Sequence, residues 1–356
     1  MDIAPFELER WFAEYEHEAD LMLAESGIRS LSTERFDLDV GELGYVIPTN
    51  GDPEFRAEVG ARYDRPAEEV LFTCGAQEAN YLAFHALLDE DDHAVVVTPT
   101  YQALHAVPEA IADVTRVELE PPEWDLDVDA VVDAMQENTE VVVLNNPNNP
   151  TGKYHPQGEV EDLYEACAER DTYLLCDEVY RLLAEEPIDP VASLGEYGIS
   201  TSSVTKSFGL AGLRFGWLAG PEAVVDAAWG WKDYTTISAG KIDQHVAKQA
   251  IDDQQSIVPA NREVVRQNHD LVADFLDEHG LDWHDPVGVN GFVTVPEGFE
   301  GSRDFCRQVV EEVSVVLAPG GCFGDAFDGY FRIGFGLPTE ELADGLERLD
   351  DFLAEH

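Results

Sequence analysis

Ser203-Val-Thr-Lys-Ser-Phe-Gly-Leu-Ala-Gly-Leu-Arg-Phe-Gly-Trp217 holds one lysine, Lys206, among small, hydroxyl-bearing and glycine residues, with Arg214 eight positions on. The chain has only five lysines, at 153, 206, 232, 241 and 248, against sixteen arginines. A lysine kept inside an apolar, glycine-rich segment is therefore a candidate for chemistry. An amine condenses with an aldehyde to give a Schiff base, and neighbouring hydroxyls with a guanidinium hold a phosphate. The stretch suits a covalently held aldehyde cofactor.

Upstream of it, short apolar runs alternate with helical patterns. Residues 69–73, 94–98, 114–119, 141–145 and 172–176 read as strands. Residues 77–88, 101–112 and 158–169 read as helices. This alternation implies a mostly parallel sheet covered on both faces. Residues 4–25 read as one amphipathic helix, because Phe6, Leu8, Trp11, Phe12 and Tyr15 recur near helical spacing. After about residue 220 helices dominate, including a long one over 258–279. Strands are expected near 291–295, 313–317 and 330–334, with a closing helix from Thr339. The expected organisation is a large domain over residues 46–255 and a smaller α+β domain built from residues 1–45 with 256–356.

In such a sheet, ligands bind beyond the carboxyl ends of the strands, and several polar signals fall there. Thr73-Cys-Gly-Ala-Gln-Glu-Ala79 follows a strand and opens a helix. The amides of Gly75, Ala76 and Gln77 can approach a phosphate there, or the segment is a plain tight turn. Asn145-Asn-Pro-Asn-Asn-Pro-Thr-Gly152 is a loop stiffened by two Asn-Pro steps, which projects amide side chains. Cys176-Asp-Glu-Val-Tyr180 places Asp177 where it can pair with a protonated ring nitrogen, or serve as a solvated acid. Tyr101 stacks on a planar cofactor or is an ordinary buried tyrosine. Arg332, on the apolar run Phe331-Arg-Ile-Gly-Phe-Gly336, needs a carboxylate or phosphate partner, from a ligand or from a structural ion pair.

Composition narrows the partners. The chain has 356 residues, 44% of them hydrophobic, which supports a large core. A net charge of −52 repels nucleic acid and anionic membrane surfaces. The acid is spread along the whole chain, as on a surface adapted to concentrated salt. Five scattered cysteines read as reduced thiols of a cytoplasmic protein. No run is long enough to span a membrane, and no basic flank marks a signal peptide. The ten histidines lack metal-ligand spacing, and the Gly-X-Ser-X-Gly turn of serine hydrolases is missing.

The joint order of these parts resembles the class I/II aminotransferases, pyridoxal-phosphate enzymes of fold type I. The resemblance runs from about residue 35 to the end. It implies a seven-stranded, mostly parallel sheet between helices, pyridoxal 5'-phosphate as cofactor, and amino-acid and 2-oxo-acid substrates used in a ping-pong cycle. It also implies roles. Lys206 carries the Schiff base and moves the proton. Asp177 holds the pyridine nitrogen, Asn149 and Tyr180 the phenolic oxygen, and Tyr101 stacks on the ring. Gly75, Ala76, Gln77, Ser203 and Arg214 hold the phosphate, and Arg332 the substrate α-carboxylate. A homodimer is implied as well, with Tyr45 reaching the partner's phosphate. Gly41 stands where relatives have a substrate contact, although only Glu42-Leu-Gly44 separates it from Tyr45. The short N-terminal region and Lys232-Asp-Tyr-Thr-Thr236 are similar to a branch around capreomycidine synthase. A lyase, decarboxylase or cyclase on the same site is thus the alternative to transamination, and a non-catalytic binding protein on the same fold is a third. No second arginine is clearly placed for a dicarboxylate; Arg181, near the end of the cofactor-binding strand, serves a second substrate carboxylate or a surface ion pair.

Overall fold

The computed structural model describes residues 3–356. Its first helix, α1 (Glu7–Tyr15), is followed by a two-residue strand, β1 (Leu21–Met22), and later by α2 (Pro53–Gly60). Residues 4–25 are therefore not one helix. Glu16, His17 and Glu18 are polar and give nothing for a longer helix to bury. Leu21 and Met22 instead pair in parallel with Val315 and Val316, a distant partner that overrides local periodicity.

The next elements are β2 (Val70–Thr73), α3 (Gly75–Leu87), β3 (His93–Thr98), α4 (Ala103–Glu109), β4 (Asp113–Glu118) and α5 (Val128–Ala134). They continue with β5 (Thr139–Asn145), α6 (Gln157–Ala168), β6 (Tyr173–Asp177), β7 (Gly198–Ser203) and β8 (Gly216–Ala219). Seven of these strands form one sheet in the order β2-β8-β7-β6-β5-β3-β4. Only β8 runs antiparallel to its neighbours. Every residue of β2, β3, β7 and β8 is buried, as in a sheet covered on both faces, whereas β4 at the edge is partly exposed.

Beyond the sheet come α7 (Glu222–Lys232), α8 (Lys241–Asp252) and α9 (Gln254–His279). Then follow β9 (Asn290–Thr294), α10 (Ser302–Val313), β10 (Val315–Val316), β11 (Ala318–Pro319), β12 (Tyr330–Gly334) and α11 (Thr339–Glu355). β11, β12 and β9 form a separate antiparallel sheet. The strand expected over 313–317 is corrected. Val313 ends α10, Ser314 turns in the left-handed region at φ 59°, only Val315 and Val316 form β10, and Leu317 separates it from β11. The second sheet, with β1 pairing to β10, is the ground on which we propose the smaller domain of residues 1–45 and 256–356.

Candidate active site

The sheet's pairing gathers the chemistry at one edge. Asn145 is level with Asp177, and Asp177 with Thr201, along the parallel strands β5, β6 and β7. Ser203 is level with Gly216 on β8, and Gly216 with Thr73 on β2. The carboxyl ends of β2, β5, β6 and β7 thus share one rim, and Lys206 and Arg214 lie in the loop that joins β7 to β8. A cavity of about 330 Å³ opens at this rim.

Lys206, Tyr180, Tyr101 and Asp177 line that cavity, with Asn149, Arg332, Ser203, Arg214, Ala76 and Gln77. Lys206 Nζ donates to Ser26 Oγ at 3.1 Å and stands 5.9 Å from the centre of the Tyr180 ring. Tyr180 Oη donates to the Ser26 carbonyl at 3.1 Å. Tyr101 is largely buried against Phe6, the ring centres 5.1 Å apart, and burial raises its pKa, with a smaller push from Glu9.

Asp177 is buried at the floor. Its Oδ2 accepts from Asn80 Nδ2 at 2.7 Å and its Oδ1 from the Val179 amide at 3.2 Å. Burial raises its pKa, against the Asn80 and Val179 hydrogen bonds and the Lys206 charge. No cation is within salt-bridge distance among the described residues, so a protonated ring nitrogen would meet an unneutralised carboxylate.

The asparagine-rich loop sorts itself by hydrogen bonds. Asn145 Nδ2 donates to the Asp177 carbonyl at 2.9 Å, and its Oδ1 accepts from the Asn149 amide at 2.7 Å. Asn146 Nδ2 donates to the His155 carbonyl and Asn148 Nδ2 to that of Pro99. Asn149 differs: its Oδ1 accepts from Arg332 Nη1 at 2.8 Å, while its Nδ2 has no protein acceptor among the described residues. Arg332 is 0% exposed and its Nη2 donates to the Ala24 carbonyl, leaving Nε without a partner. Burial lowers its pKa, opposed by Tyr180, Tyr101 and Glu25. A buried guanidinium with N–H groups to spare suits a carboxylate partner.

The phosphate end is built from bare backbone. α3 begins at Gly75 with no side-chain cap, so its first amides are free. A Cβ on Gly75, at φ +77°, would stand 2.8 Å from Arg214 Nη2. A Cβ on Gly216 would stand 2.7 Å from the Ala76 nitrogen. Both glycines are needed for the helix to seat against β8 under the Arg214 guanidinium. The free amides, the guanidinium, the buried carboxylate and the lysine fit pyridoxal phosphate.

Two candidates stay outside. Gly41 is exposed at φ +64°, with nothing within 4 Å of a Cβ, and does not reach the cavity of its own chain. Tyr45 is 97% exposed and lies in the segment that packs beside Lys241 and Ile242. Arg181 is also withdrawn: it pairs with buried Glu178 at 3.3 Å and donates to the Ile188 carbonyl. The sequence reading missed Ser26, Asn80 and the face of α1 that brings Leu8, Glu9 and Phe12 onto the cavity. The α1 periodicity was visible, but nothing local says what the helix covers.

The family model for aminotransferase class I and II matches residues 23–349. An aspartate aminotransferase of Streptomyces avermitilis is 29% identical over 86% of this chain and 81% of its own. Capreomycidine synthase of Streptomyces vinaceus is 29% identical over 98% of this chain and 94% of its own. Among solved structures, a PLP-dependent aminotransferase from Streptococcus suis superposes with a TM-score of 0.93 at 31% identity, covering 100% of this chain and 99% of its own.

Proposed function

The chain belongs to the class I and II aminotransferases, and from that premise we propose how its own residues carry the reaction. The enzyme is pyridoxal-phosphate-dependent and moves an amino group between an amino acid and a 2-oxo acid. When bound, the cofactor supplies an aldehyde for the lysine and a ring that withdraws electrons from the substrate. The convergence of Lys206, Asp177 and Arg332 on one cavity carries this reading.

The residues divide the work. The α3 amides, Ser203 and Arg214 hold the phosphate. Asp177 takes the ring nitrogen, and Asn149 Nδ2 with the Tyr180 hydroxyl faces the phenolic oxygen. Tyr101 covers the ring. Arg332 binds the α-carboxylate, which sets the α-hydrogen near Lys206 Nζ, and Lys206 then carries that proton. Ser26 holds the lysine amine when it is free of the cofactor.

The cavity's cations are Lys206, Arg214 and Arg332, each engaged in these roles. Its remaining wall includes Leu8 and Phe12 with Glu9, Glu16 and Glu25. We therefore read the amino donor as monocarboxylic, with an apolar or cationic side chain, since a second carboxylate would face carboxylates. Tyr45, exposed beside Leu43 and Ile47, is proposed to reach the phosphate of a second copy in a homodimer, with Gly41 beside it. A cytoplasmic location is proposed from the five free cysteines. No described helix is long and apolar enough to cross a membrane.

The test has two parts. Borohydride reduction of the loaded protein and peptide mapping should place a pyridoxyl group on Lys206, and Lys206→Ala should abolish turnover. An amino-acid panel with a monocarboxylic acceptor such as pyruvate should yield alanine; aspartate as the preferred donor, or 2-oxoglutarate as the preferred acceptor, would overturn the donor reading. The full-length similarity to capreomycidine synthase supports a second reading, elimination or cyclisation after the same C–H cleavage. Ammonia or ring product formed without an oxo acid would select it.

A further inference from the structure

Asn80 touches neither the phosphate amides nor the lysine, yet it is built into the site from both sides. Its Nδ2 donates to Asp177 Oδ2 at 2.7 Å. Its Oδ1 accepts from Thr201 Oγ1 at 2.6 Å. The ionised carboxylate only accepts, so it takes the amide nitrogen, and the Thr201 hydroxyl then donates to the amide oxygen and holds that orientation. Both Asn80 and Thr201 are buried, so neither bond competes with bulk water. Thr201 is itself level with Asp177 across β6 and β7.

Asn80 also sits on α3, the helix whose first residues face the phosphate. From Ala76 to Asn80 is four residues, about one helical turn. One rigid helix thus fixes two ends of the cofactor's bed: the amides at its start and the partner of the ring nitrogen one turn further in. Without Asn80 the carboxylate would be oriented by the Val179 amide alone, through Oδ1.

We propose that Asn80, clamped by Thr201, is a positioning residue for the cofactor ring, aiming the Asp177 carboxylate at the ring nitrogen and keeping it a pure acceptor. This rests on the cofactor reading given above. A hydrogen bond to a charged group contributes enough that its loss changes a rate about 10- to 100-fold. Asn80→Leu, close in volume but without a donor, is expected to lower kcat by about that factor while the donor KM changes less than about threefold. The pH midpoint of the bound cofactor's visible band is expected to rise by about one unit, since a weaker pull at the ring nitrogen makes the imine nitrogen more basic. Thr201→Val, which keeps Asn80 but frees its amide, should shift both quantities the same way and less. Asn80→His, which restores an N–H donor, should recover part of kcat.

All measurements are made on the loaded enzyme, with the Lys206 adduct mapped in each variant. A missing adduct in the unmodified protein defeats the cofactor reading and this inference with it. An adduct present, but with wild-type kcat and midpoint in loaded Asn80→Leu and Thr201→Val, defeats this inference alone. So does a loss of activity that follows only the fraction of protein loaded. If Asn80→Leu fails to fold, Thr201→Val decides.

Discussion

At Asp177 the charged carboxylate loses its water and gains only two hydrogen bonds and the Lys206 charge, so its pKa rises. A carboxyl whose folded pKa exceeds its unfolded value penalises folding fully above the folded pKa, and the penalty fades as pH falls from the folded to the unfolded pKa. The cofactor-free protein therefore carries its largest penalty from this group at neutral pH. Asp177→Asn, free of cofactor, is expected to melt at or above the unmodified protein at pH 7. The margin should shrink as pH falls toward 4, while transamination by the loaded variant is lost. Differential scanning calorimetry across pH checks this; a lower melting temperature at pH 7 would show that Asp177 is stabilising in the empty fold. Asp177 could be singled out because it closes an apolar strand, although only its order beside the Asn-Pro loop, Lys206 and Arg214 set it apart from a solvated acid. Asn80 could not be, because its meaning depends on Asp177, which is 97 positions away. Arg332 was legible as a guanidinium on an apolar strand, but its grip on Asn149 joins residues 183 apart.

Elements explain which local signals survived folding. The strand-then-polar pattern located β2, β3, β5 and β6 well, since strands buried along most of their length read as near-continuous apolar runs. β7 and β8 did not stand out as strands. Gly198-Ile-Ser-Thr-Ser-Ser203 is mostly hydroxyls, one of which, Ser200, is used inside to reach buried Glu178. The α1 stretch was overextended because a helical period continues past Tyr15 only as charge. α3 is the element on which most depends, and its N-terminus permits a direct test. In Gly75→Ala a methyl meets Arg214 Nη2 at 2.8 Å, and the backbone is held at φ +77°. The left-handed backbone alone costs about 1–2 kcal/mol for a residue with a Cβ. Gly75→Ala is expected to weaken cofactor binding roughly tenfold or more, with a smaller loss of melting temperature in the empty protein. Fluorescence titration with pyridoxal phosphate measures the first and thermal denaturation the second. Unchanged affinity would mean the Arg214 guanidinium does not close over that amide.

The whole molecule carries 73 acidic and 21 basic residues, and its cations are heavily engaged. Lys153 pairs with Asp125, Lys232 with Glu78 and Lys248 with Glu58. Arg266 and Arg348 each bridge two acids. With so few cations, most carboxylates on the surface have only solvent and counterions to balance them. In dilute buffer their repulsion acts across the molecule, since the screening length is about 30 Å at 0.01 M and about 3 Å at 1 M. We propose that the chain is built for concentrated salt. Repulsion of the same sign also meets the 2-oxo acid and the phosphate ester, because both are anionic as they approach. Two outcomes therefore belong together. The circular dichroism melting temperature should climb steeply from 0.01 M to molar KCl, by ~10 °C or more if several kcal/mol of repulsion are removed. Cofactor association in stopped flow should accelerate over the same range, the reverse of what salt does to an attractive encounter. A melt and an association rate that are both flat in salt would leave the surface charge without a role in stability or capture.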